Sequence, residues 1–143
     1  MPRPKVTKEI LDTHTFIWLM QGDTKQLSKS VLSQIEKFSK ENELYISAIS
    51  LWEIAMLETK DRIVLSEPCL LWLNQALAAP GLNLAHLSPE ISVDSANLLA
   101  TFHGDPADRI IVSTTRHLNA KLFTRDEKIL KYAKAGYLEA ESV

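Results

Sequence analysis

Short apolar runs alternate along the chain with longer segments whose apolar residues recur three or four positions apart. The longer spacing is clearest over residues 28–40, and it predicts an amphipathic helix with apolar positions at Val31, Leu32, Ile35 and Phe38. The short runs predict strands at residues 9–11, 44–46, 82–84, 121–124 and 136–138. Strands that alternate with helices favour right-handed βαβ units, and therefore a parallel sheet that helices cover on both faces.

Capping residues and helix breakers place the boundaries of the predicted helices. Asp12, Ser47 and Asp126 each stand at the start of a helical pattern, where N-cap residues are expected. The helices are predicted over residues 15–20, 28–40, 47–58, 66–78, 88–101, 109–118 and 126–135. A chain of 143 residues without repeats or long linkers suits one domain. We therefore expect residues 1–143 to form a single domain, with residues 1–8 as a loose lead-in.

Composition narrows the class of protein. Apolar residues make up 45% and charged residues 24%, as in ordinary globular proteins. The single cysteine, Cys69, excludes an intrachain disulfide and a cysteine-based zinc site. The sequence has no apolar run long enough for a membrane span and no secretory-type N-terminus, so we expect a cytoplasmic protein without a membrane partner. The lack of a Gly-x-Gly-x-x-Gly or P-loop motif disfavours a nucleotide-binding site.

The net charge bears on nucleic-acid binding. A formal charge of −2 argues mildly against a protein that holds nucleic acid by bulk basic charge. It does not exclude a nuclease, because an active site of carboxylates subtracts charge and bound metal ions restore positive potential locally. A carboxylate-based nuclease therefore stays open on charge alone.

Acidic residues fall where a parallel sheet places its ligands, beyond the carboxyl ends of the strands. Asp12 and Asp126 follow predicted strands, Glu53 lies less than two turns into the helix after residues 44–46, and Asp108 sits at the head of its helix. Carboxylates that meet in this way repel one another unless a cation neutralises them. An all-oxygen ligand set favours Mg²⁺ or Mn²⁺, which can polarise a phosphodiester and generate hydroxide for attack.

Each of these acidic residues also has a structural interpretation. Asp12 and Asp126 suit N-caps, and Asp108 suits the positive end of a helix dipole. Ser50 and Glu53 have the spacing of a capping box. Spacing alone leaves the metal site and the structural interpretation equally open.

Four blocks of sequence, taken together, favour the metal site over the structural interpretation. They are LDTHTFIWL (11–19), SAISLWEIA (47–55), HGDPADRIIV (103–112) and LFTRDEKI (122–129). In content, order and spacing they resemble the blocks of PIN-domain nucleases, and more narrowly those of the VapC ribonucleases of toxin–antitoxin systems. The resemblance implies a PIN-like three-layer α/β/α fold with a short, mostly parallel central sheet flanked by helices.

The resemblance also implies a site. Asp12, Glu53 and Asp108 would form it, with Asp126 as the fourth catalytic and metal-binding position. Asp105 lies in the same loop and is a further candidate ligand, placed behind Asp108 because Asp108 adjoins the helix that faces the site in this family. The implied cofactor is Mg²⁺ or Mn²⁺. The implied partners are an RNA substrate, a cognate antitoxin protein and a second copy of the chain in a homodimer.

Residues next to the acidic blocks are candidates for supporting roles. The hydroxyls of Thr13 and Thr124 can hold a water or a carboxylate, or cap a helix. Arg109 and Arg125 can pair with phosphate or form structural ion pairs. Substrate contact is a weaker hypothesis for the two flanking histidines, His14 and His103. The three tryptophans stand at helical spacing among aliphatic residues, which favours core or partner contacts over base stacking; they are Trp18, Trp52 and Trp72.

Several functions compete with that of a toxin ribonuclease. A PIN nuclease of RNA processing would need no antitoxin, and a catalytically inactive PIN-fold binding protein would need no acidic site. Against the inactive form, every acidic position is filled by an acid. A phosphatase of the haloacid type wants Asp-x-Asp after the first strand, whereas this chain has His14 at the second position. A receiver domain wants an acidic pair, a central phosphoacceptor Asp and a later Lys. An antitoxin-like reading frame beside this one would separate a toxin from a processing nuclease.

Overall fold

A computed structural model describes residues 6–100, 102 and 104–143. Within them, one five-stranded sheet contains β1 (Lys8–Leu11), β2 (Leu44–Ser47), β3 (Leu82–Ala85), β4 (Ala120–Thr124) and β5 (Glu139–Ser142). The strands lie in the order β3-β2-β1-β4-β5, and each neighbouring pair is parallel. The parallel α/β architecture predicted from the sequence is confirmed.

Helices connect the strands. The described residues form α1 (Thr13–Met20), α2 (Lys29–Lys40), α3 (Ala48–Thr59), α4 (Cys69–Leu77), α5 (Pro89–Ala96), α6 (Pro106–Leu118) and α7 (Glu127–Lys134), with a short 3₁₀ helix at Thr24–Gln26. Ser28, Ser47 and Ser88 cap α2, α3 and α5 by accepting a backbone hydrogen bond through their hydroxyls. No helix in this part of the chain is long and apolar enough to span a membrane.

Two apolar clusters, one on each face of the sheet, hold the layers together. On one face Ile10 and Leu122 pack with Ile111 of α6 and Ile129 of α7. On the other face, the alternate strand residues Leu11 and Phe123 belong to a second cluster, which also contains Phe16, Val31, Ile54 and Trp72. Because successive residues of a strand point to opposite faces, this alternation produces the three layers.

A carboxylate is buried inside the second face. Glu9 of β1 has no exposed surface, and its Oε1 lies 3.4 Å from Lys121 Nζ of β4. Lys121 also donates to Gln34 Oε1 of α2 and to Glu141 Oε1 of β5, the latter at 3.0 Å. Burial raises the pKa of Glu9 to about 7, against the opposing effect of Lys121. This polar cluster ties α2 to three strands.

The structure corrects several predicted boundaries. The last strand was predicted at residues 136–138, but Gly136 and Tyr137 form the turn that closes α7, with Tyr137 N donating to Tyr132 O, and β5 begins at Glu139. The helix predicted over 88–101 ends at Ala96, where Asn97 caps it. The helix predicted to begin at Arg109 begins at Pro106.

The predicted lead-in of residues 1–8 is only partly described. Residues 1–5 lie outside the described residues, and β1 already begins at Lys8. That residues 1–143 form a single domain therefore stays a prediction, because it includes residues 1–5.

Candidate active site

The site is built where three neighbouring strands end. Asp12 follows β1 directly, Asp126 follows β4 by two residues, and α3, which carries Glu53, follows β2 without a gap. These strands are parallel neighbours in the order β2-β1-β4, so their carboxyl ends meet at one edge of the sheet. This edge is where ligands bind in open α/β sheets.

Asp12 is fixed by hydrogen bonds to both of its carboxylate oxygens. As the N-cap of α1 it accepts from Thr13 N through Oδ1 at 2.8 Å. Its Oδ2 accepts from the Thr124 hydroxyl at 2.5 Å, which joins β1 to β4. Burial raises the pKa of Asp12, while these hydrogen bonds favour its ionised form. Asp12 is therefore both a cap and a member of the acidic edge.

Glu53 faces the same edge from the second turn of α3. Its Oε1 accepts from the buried Thr13 hydroxyl at 2.5 Å, and that hydroxyl is also hydrogen-bonded to Ser50 Oγ at 2.8 Å. Burial raises the pKa of Glu53, and the charges of Asp12 and Asp105 raise it further. Because Ser47 caps α3, the capping-box interpretation of Ser50 and Glu53 is wrong.

The two aspartates at the start of α6 differ in burial and in role. Asp105 is exposed and is the N-cap, since its Oδ1 accepts from Asp108 N at 2.8 Å. Asp108 lies one turn later and is half-buried. Burial, and after it the charges of four other carboxylates, together raise the pKa of Asp108 to about 7: Asp105, Asp126, Asp12 and Glu53. Asp108 therefore experiences the charge of the whole acidic edge.

Asp126 completes the edge from α7. It is the N-cap of that helix, and its Oδ1 accepts from Lys128 N at 2.9 Å and from Ile129 N at 3.1 Å. Its own N–H donates to the Thr124 hydroxyl at 3.0 Å. Thr124 thus links Asp126 to Asp12. The Thr13 hydroxyl likewise holds the carboxylate of Glu53. Both threonines hold carboxylates, and the caps are the aspartates beside them.

The two candidate arginines make contacts outside the acidic edge. Arg109 donates to the carbonyls of Ser95, Ala96 and Phe102, so it clamps the loop before α6. Arg125 is exposed, donates to Gln26, and lies with its guanidinium 4.5 Å from the Trp18 ring centre.

The histidines and tryptophans have mixed outcomes. His14 is exposed and its charge acts on Asp12 and Glu53. His103 lies outside the described residues. Trp72 is a core residue as predicted, Trp18 is half-buried, and Trp52 is 56% exposed on α3.

Sequence reasoning did not assign to the site two residues that shape it. Ser50 is fully buried against Thr13, and only its position one turn before Glu53 indicated it. Gly104 leaves space for the Phe102 ring and for Asp108. A Cβ at this position would stand 2.3 Å from Phe102 Cε1 and 2.9 Å from Asp108 Cβ. A glycine directly before the Asp-Pro pair was the available signal.

The donor chemistry of the edge suits a hard divalent cation. Every candidate ligand is a carboxylate oxygen, and their mutual repulsion on Asp108 is the repulsion that a cation would relieve. Among the residues that the structure describes, no three acidic, histidine or cysteine side chains form a ready metal-binding group. The carboxylates would therefore have to close around an ion.

Comparison with known proteins shows the family of the chain. The PIN domain family matches residues 10–135. Ribonuclease VapC22 of Mycobacterium tuberculosis (strain ATCC 25618 / H37Rv) is 32% identical over 124 residues, which cover 87% of this chain and 91% of the relative.

Solved structures support the fold. The VapBC2 structure from Rickettsia felis, bound to a promoter DNA fragment, aligns with a TM-score of 0.66 at 20% identity, over 94% of this chain and 97% of the matched chain. The DNA-bound VapBC structure from Salmonella typhimurium aligns with the same TM-score at 14% identity and the same coverage. Through the PIN match and its VapC relative, the chain belongs to the PIN-domain family, and within it to the VapC ribonucleases.

Proposed function

We propose that this protein is an endoribonuclease that cleaves RNA phosphodiester bonds with Mg²⁺ or Mn²⁺, and that it is the toxin of a type II toxin–antitoxin pair. The observation that carries the activity is the meeting of Asp12, Glu53, Asp108 and Asp126 at one sheet edge, where their charges act on one another. A relative of similar length that is named a ribonuclease supports RNA as the substrate.

In this proposal each acidic residue has a stated task. Asp12, Glu53, Asp108 and Asp126 hold the cation, and Asp105, which is exposed at the rim, is an outer candidate. When bound, a divalent ion polarises the phosphodiester and lowers the pKa of the attacking water. The hydroxyls of Thr13 and Thr124 fix Glu53 and Asp12 in place, so that less freedom is lost when the ligands close around the ion.

The direct test is RNA cleavage by the purified protein. We expect cleavage with Mg²⁺ or Mn²⁺ and none in excess EDTA. Asp12→Asn, Glu53→Gln, Asp108→Asn and Asp126→Asn should each lower the rate by orders of magnitude without loss of the folded state. Asp61→Asn is the matched control, because Asp61 is exposed and its backbone φ of 56° is one that Asn tolerates.

Two results would contradict the proposal. Full cleavage in EDTA would refute the metal mechanism. Loss of the thermal unfolding transition in all four acidic variants would show that these residues are structural caps.

The toxin assignment rests on the relatives. Solved structures with this fold include a toxin–antitoxin complex from Klebsiella pneumoniae, which aligns with a TM-score of 0.60 over 92% of this chain. We expect expression of the chain alone to arrest growth of a bacterial host, and co-expression of the adjacent antitoxin to restore it. The Asp12→Asn variant should be harmless in the same host. Arrest that persists in this variant would separate toxicity from the acidic site.

A homodimer and a cytoplasmic location complete the proposal. Large apolar side chains are exposed on α3, on α4 and in the loop between them: Trp52, Val64, Leu70 and Leu71. Exposed apolar groups of this kind mark protein contact surfaces. Sedimentation above micromolar concentration should give a dimer mass, and a monomer mass would contradict this part.

A further inference from the structure

A cavity outside the acidic edge carries aromatic and basic residues together. It has a volume of about 450 Å³ and lies between α7 and the loop before α6. Its lining consists of Ala100, Phe102, Lys128, Lys131, Tyr132, Ala135 and Tyr137, and we call it the aromatic cavity. A volume of this size lies within the range of roughly 300–1,000 Å³ that is usual for ligand sites.

The rings of the aromatic cavity are held in a fixed arrangement. Tyr132 and Tyr137 stack with ring centres 4.6 Å apart and planes 17° apart. Phe102 packs against Tyr132 with ring centres 5.0 Å apart. The Tyr132 hydroxyl donates to Leu99 O at 2.6 Å, which anchors the middle ring. Tyr137 is the half-buried member of the set and lines the cavity.

Two observations relate the aromatic cavity to the candidate active site. The Phe102 ring lies against one side of Gly104, and Asp108 Cβ lies against the same glycine. On the other wall, α7 starts from the cap residue Asp126 and runs away from the acidic edge. The aromatic cavity therefore lies along α7, on a path that leads away from the carboxylates.

Cations border this path. Lys128 and Lys131 are three positions apart on α7, so they lie on one side of the helix, and both are exposed. They lie on α7, whose N-cap residue Asp126 belongs to the acidic edge. The negative charge of that edge repels phosphate, and these two lysines oppose the repulsion. The path thus offers flat rings for a base and ammonium groups for the backbone of a polyanion.

We propose that the aromatic cavity binds one unpaired nucleotide of single-stranded RNA, on a strand that runs along α7 from the acidic edge, with its base against Tyr137 and its phosphates at Lys128 and Lys131. This inference rests on the proposed ribonuclease function and adds a substrate subsite to it. Stacking on an aromatic ring is open to every base, so the subsite selects unpaired RNA over paired RNA without reading its sequence.

The first test measures how much Lys128 and Lys131 contribute to the affinity for RNA. A fluorescein-labelled, mixed-sequence single-stranded oligoribonucleotide is titrated with Asp12→Asn protein, which should bind without cleaving, and anisotropy is followed. Adding Lys128→Ala and Lys131→Ala should weaken binding about tenfold at 0.1 M salt and lower the slope of log K against log salt by about 1.4, or about 0.7 for each phosphate contact.

Lys40→Ala with Lys60→Ala is the matched control. Both lysines are exposed; Lys40 is the last residue of α2 and Lys60 is the C-cap of α3, so both lie at helix ends remote from the acidic edge. The control removes the same charge, so an equal loss of affinity in both double variants would overturn the subsite.

The second test measures how much the Tyr137 ring contributes to the affinity for RNA. Tyr137→Leu should weaken binding of the single strand about tenfold, because a stacked base is worth roughly 1–3 kcal/mol and about 1.4 kcal/mol is a factor of ten. Tyr137→Phe, which keeps the ring, should bind like the parent protein. Binding of the same sequence as a duplex should not change in Tyr137→Leu.

The outcomes distinguish the subsite from the function on which it rests. If the parent protein cleaves RNA but the α7 lysine and Tyr137→Leu variants match their controls, the subsite is wrong and the proposed function stands. If these variants lose antitoxin or dimer binding while RNA binding is unchanged, the cavity is a protein contact and the subsite is wrong. If the parent protein neither binds nor cleaves RNA, the proposed function fails, and the subsite fails with it.

Discussion

Glu9 offers the sharpest test of the physical reasoning, because its carboxyl lies inside the sheet with a partly solvated lysine as its ion partner. Burial raises its pKa from an ordinary value of 4.5 to about 7. A raised carboxyl pKa means that the protonated form is favoured in the folded state. The free energy of unfolding is therefore not reduced by Glu9 below a pH of 4.5. It falls as the pH rises above that value, and the loss is complete once the pH has passed through about 7.

The size of the effect follows from the two pKa values. A carboxyl with a pKa of 4.5 when unfolded and about 7 when folded loses about 3.4 kcal/mol at full ionisation, at about 1.36 kcal/mol for each pH unit. Between pH 5 and pH 8 the loss is about 2.5 kcal/mol, because part of it has already occurred at pH 5. Glu9→Gln keeps the shape of the side chain and removes this titration.

The assay is urea unfolding at pH 5 and at pH 8, followed by tryptophan fluorescence. The free energy of unfolding of Glu9→Gln, relative to the parent protein, should rise by about 2.5 kcal/mol from pH 5 to pH 8. Glu67→Gln, which changes an exposed carboxylate, should show no comparable rise. Using the difference between proteins cancels the titration of the acidic edge. A difference that is the same at both pH values would refute the reasoning and show that Lys121 compensates fully for burial.

Three further substitutions test the site. Thr124→Val should lower both RNA cleavage and the free energy of unfolding, the latter by about 1–3 kcal/mol, because it leaves a partly buried oxygen of Asp12 without its donor; an unchanged melting temperature would contradict this. Gly104→Ala should destabilise the protein by about 1–3 kcal/mol in thermal unfolding, since its Cβ would meet the Phe102 ring at 2.3 Å. A neutral result would show that the loop adapts freely. Asp108→Asn in EDTA should raise the melting temperature more at pH 8 than at pH 5, because burial and the neighbouring carboxylates raise the pKa of Asp108 to about 7. Equal changes at both pH values would place Asp108 outside the cluster.

The elements that the sequence predicted are those with a local signal. Residues 28–40 form a helix because their apolar positions share one face, and Ser28 and Ser47 begin helices because their side chains can cap. Asp12 and Asp126 were located by the strands before them. Asp105 as the cap of α6 was predictable too, because Pro106 directly follows it and proline favours the first helical position.

The remainder depends on contacts between distant parts of the chain. Glu139–Ser142 is a polar segment that becomes a strand by pairing with β4 at the edge of the sheet, so no apolar pattern indicates it. The hydroxyls of Thr13 and Thr124 looked like capping groups, and only the packing of β1 against β2 and β4 directs them at carboxylates. The role of Arg109 likewise depends on where the preceding loop places its carbonyls.

The central position of β1 sets the order in which the protein becomes complete during synthesis. β1 is the first of the described strands, yet it pairs with β4, and Thr124 reaches Asp12 across 112 positions. A ribosome-bound chain that has exposed Asp12 and Glu53 still lacks the strand and helix that close the acidic edge. Contacts this distant in sequence form late, so the edge is completed only when nearly the whole chain has emerged. A nuclease with this topology therefore remains unassembled beside the messenger RNA that encodes it.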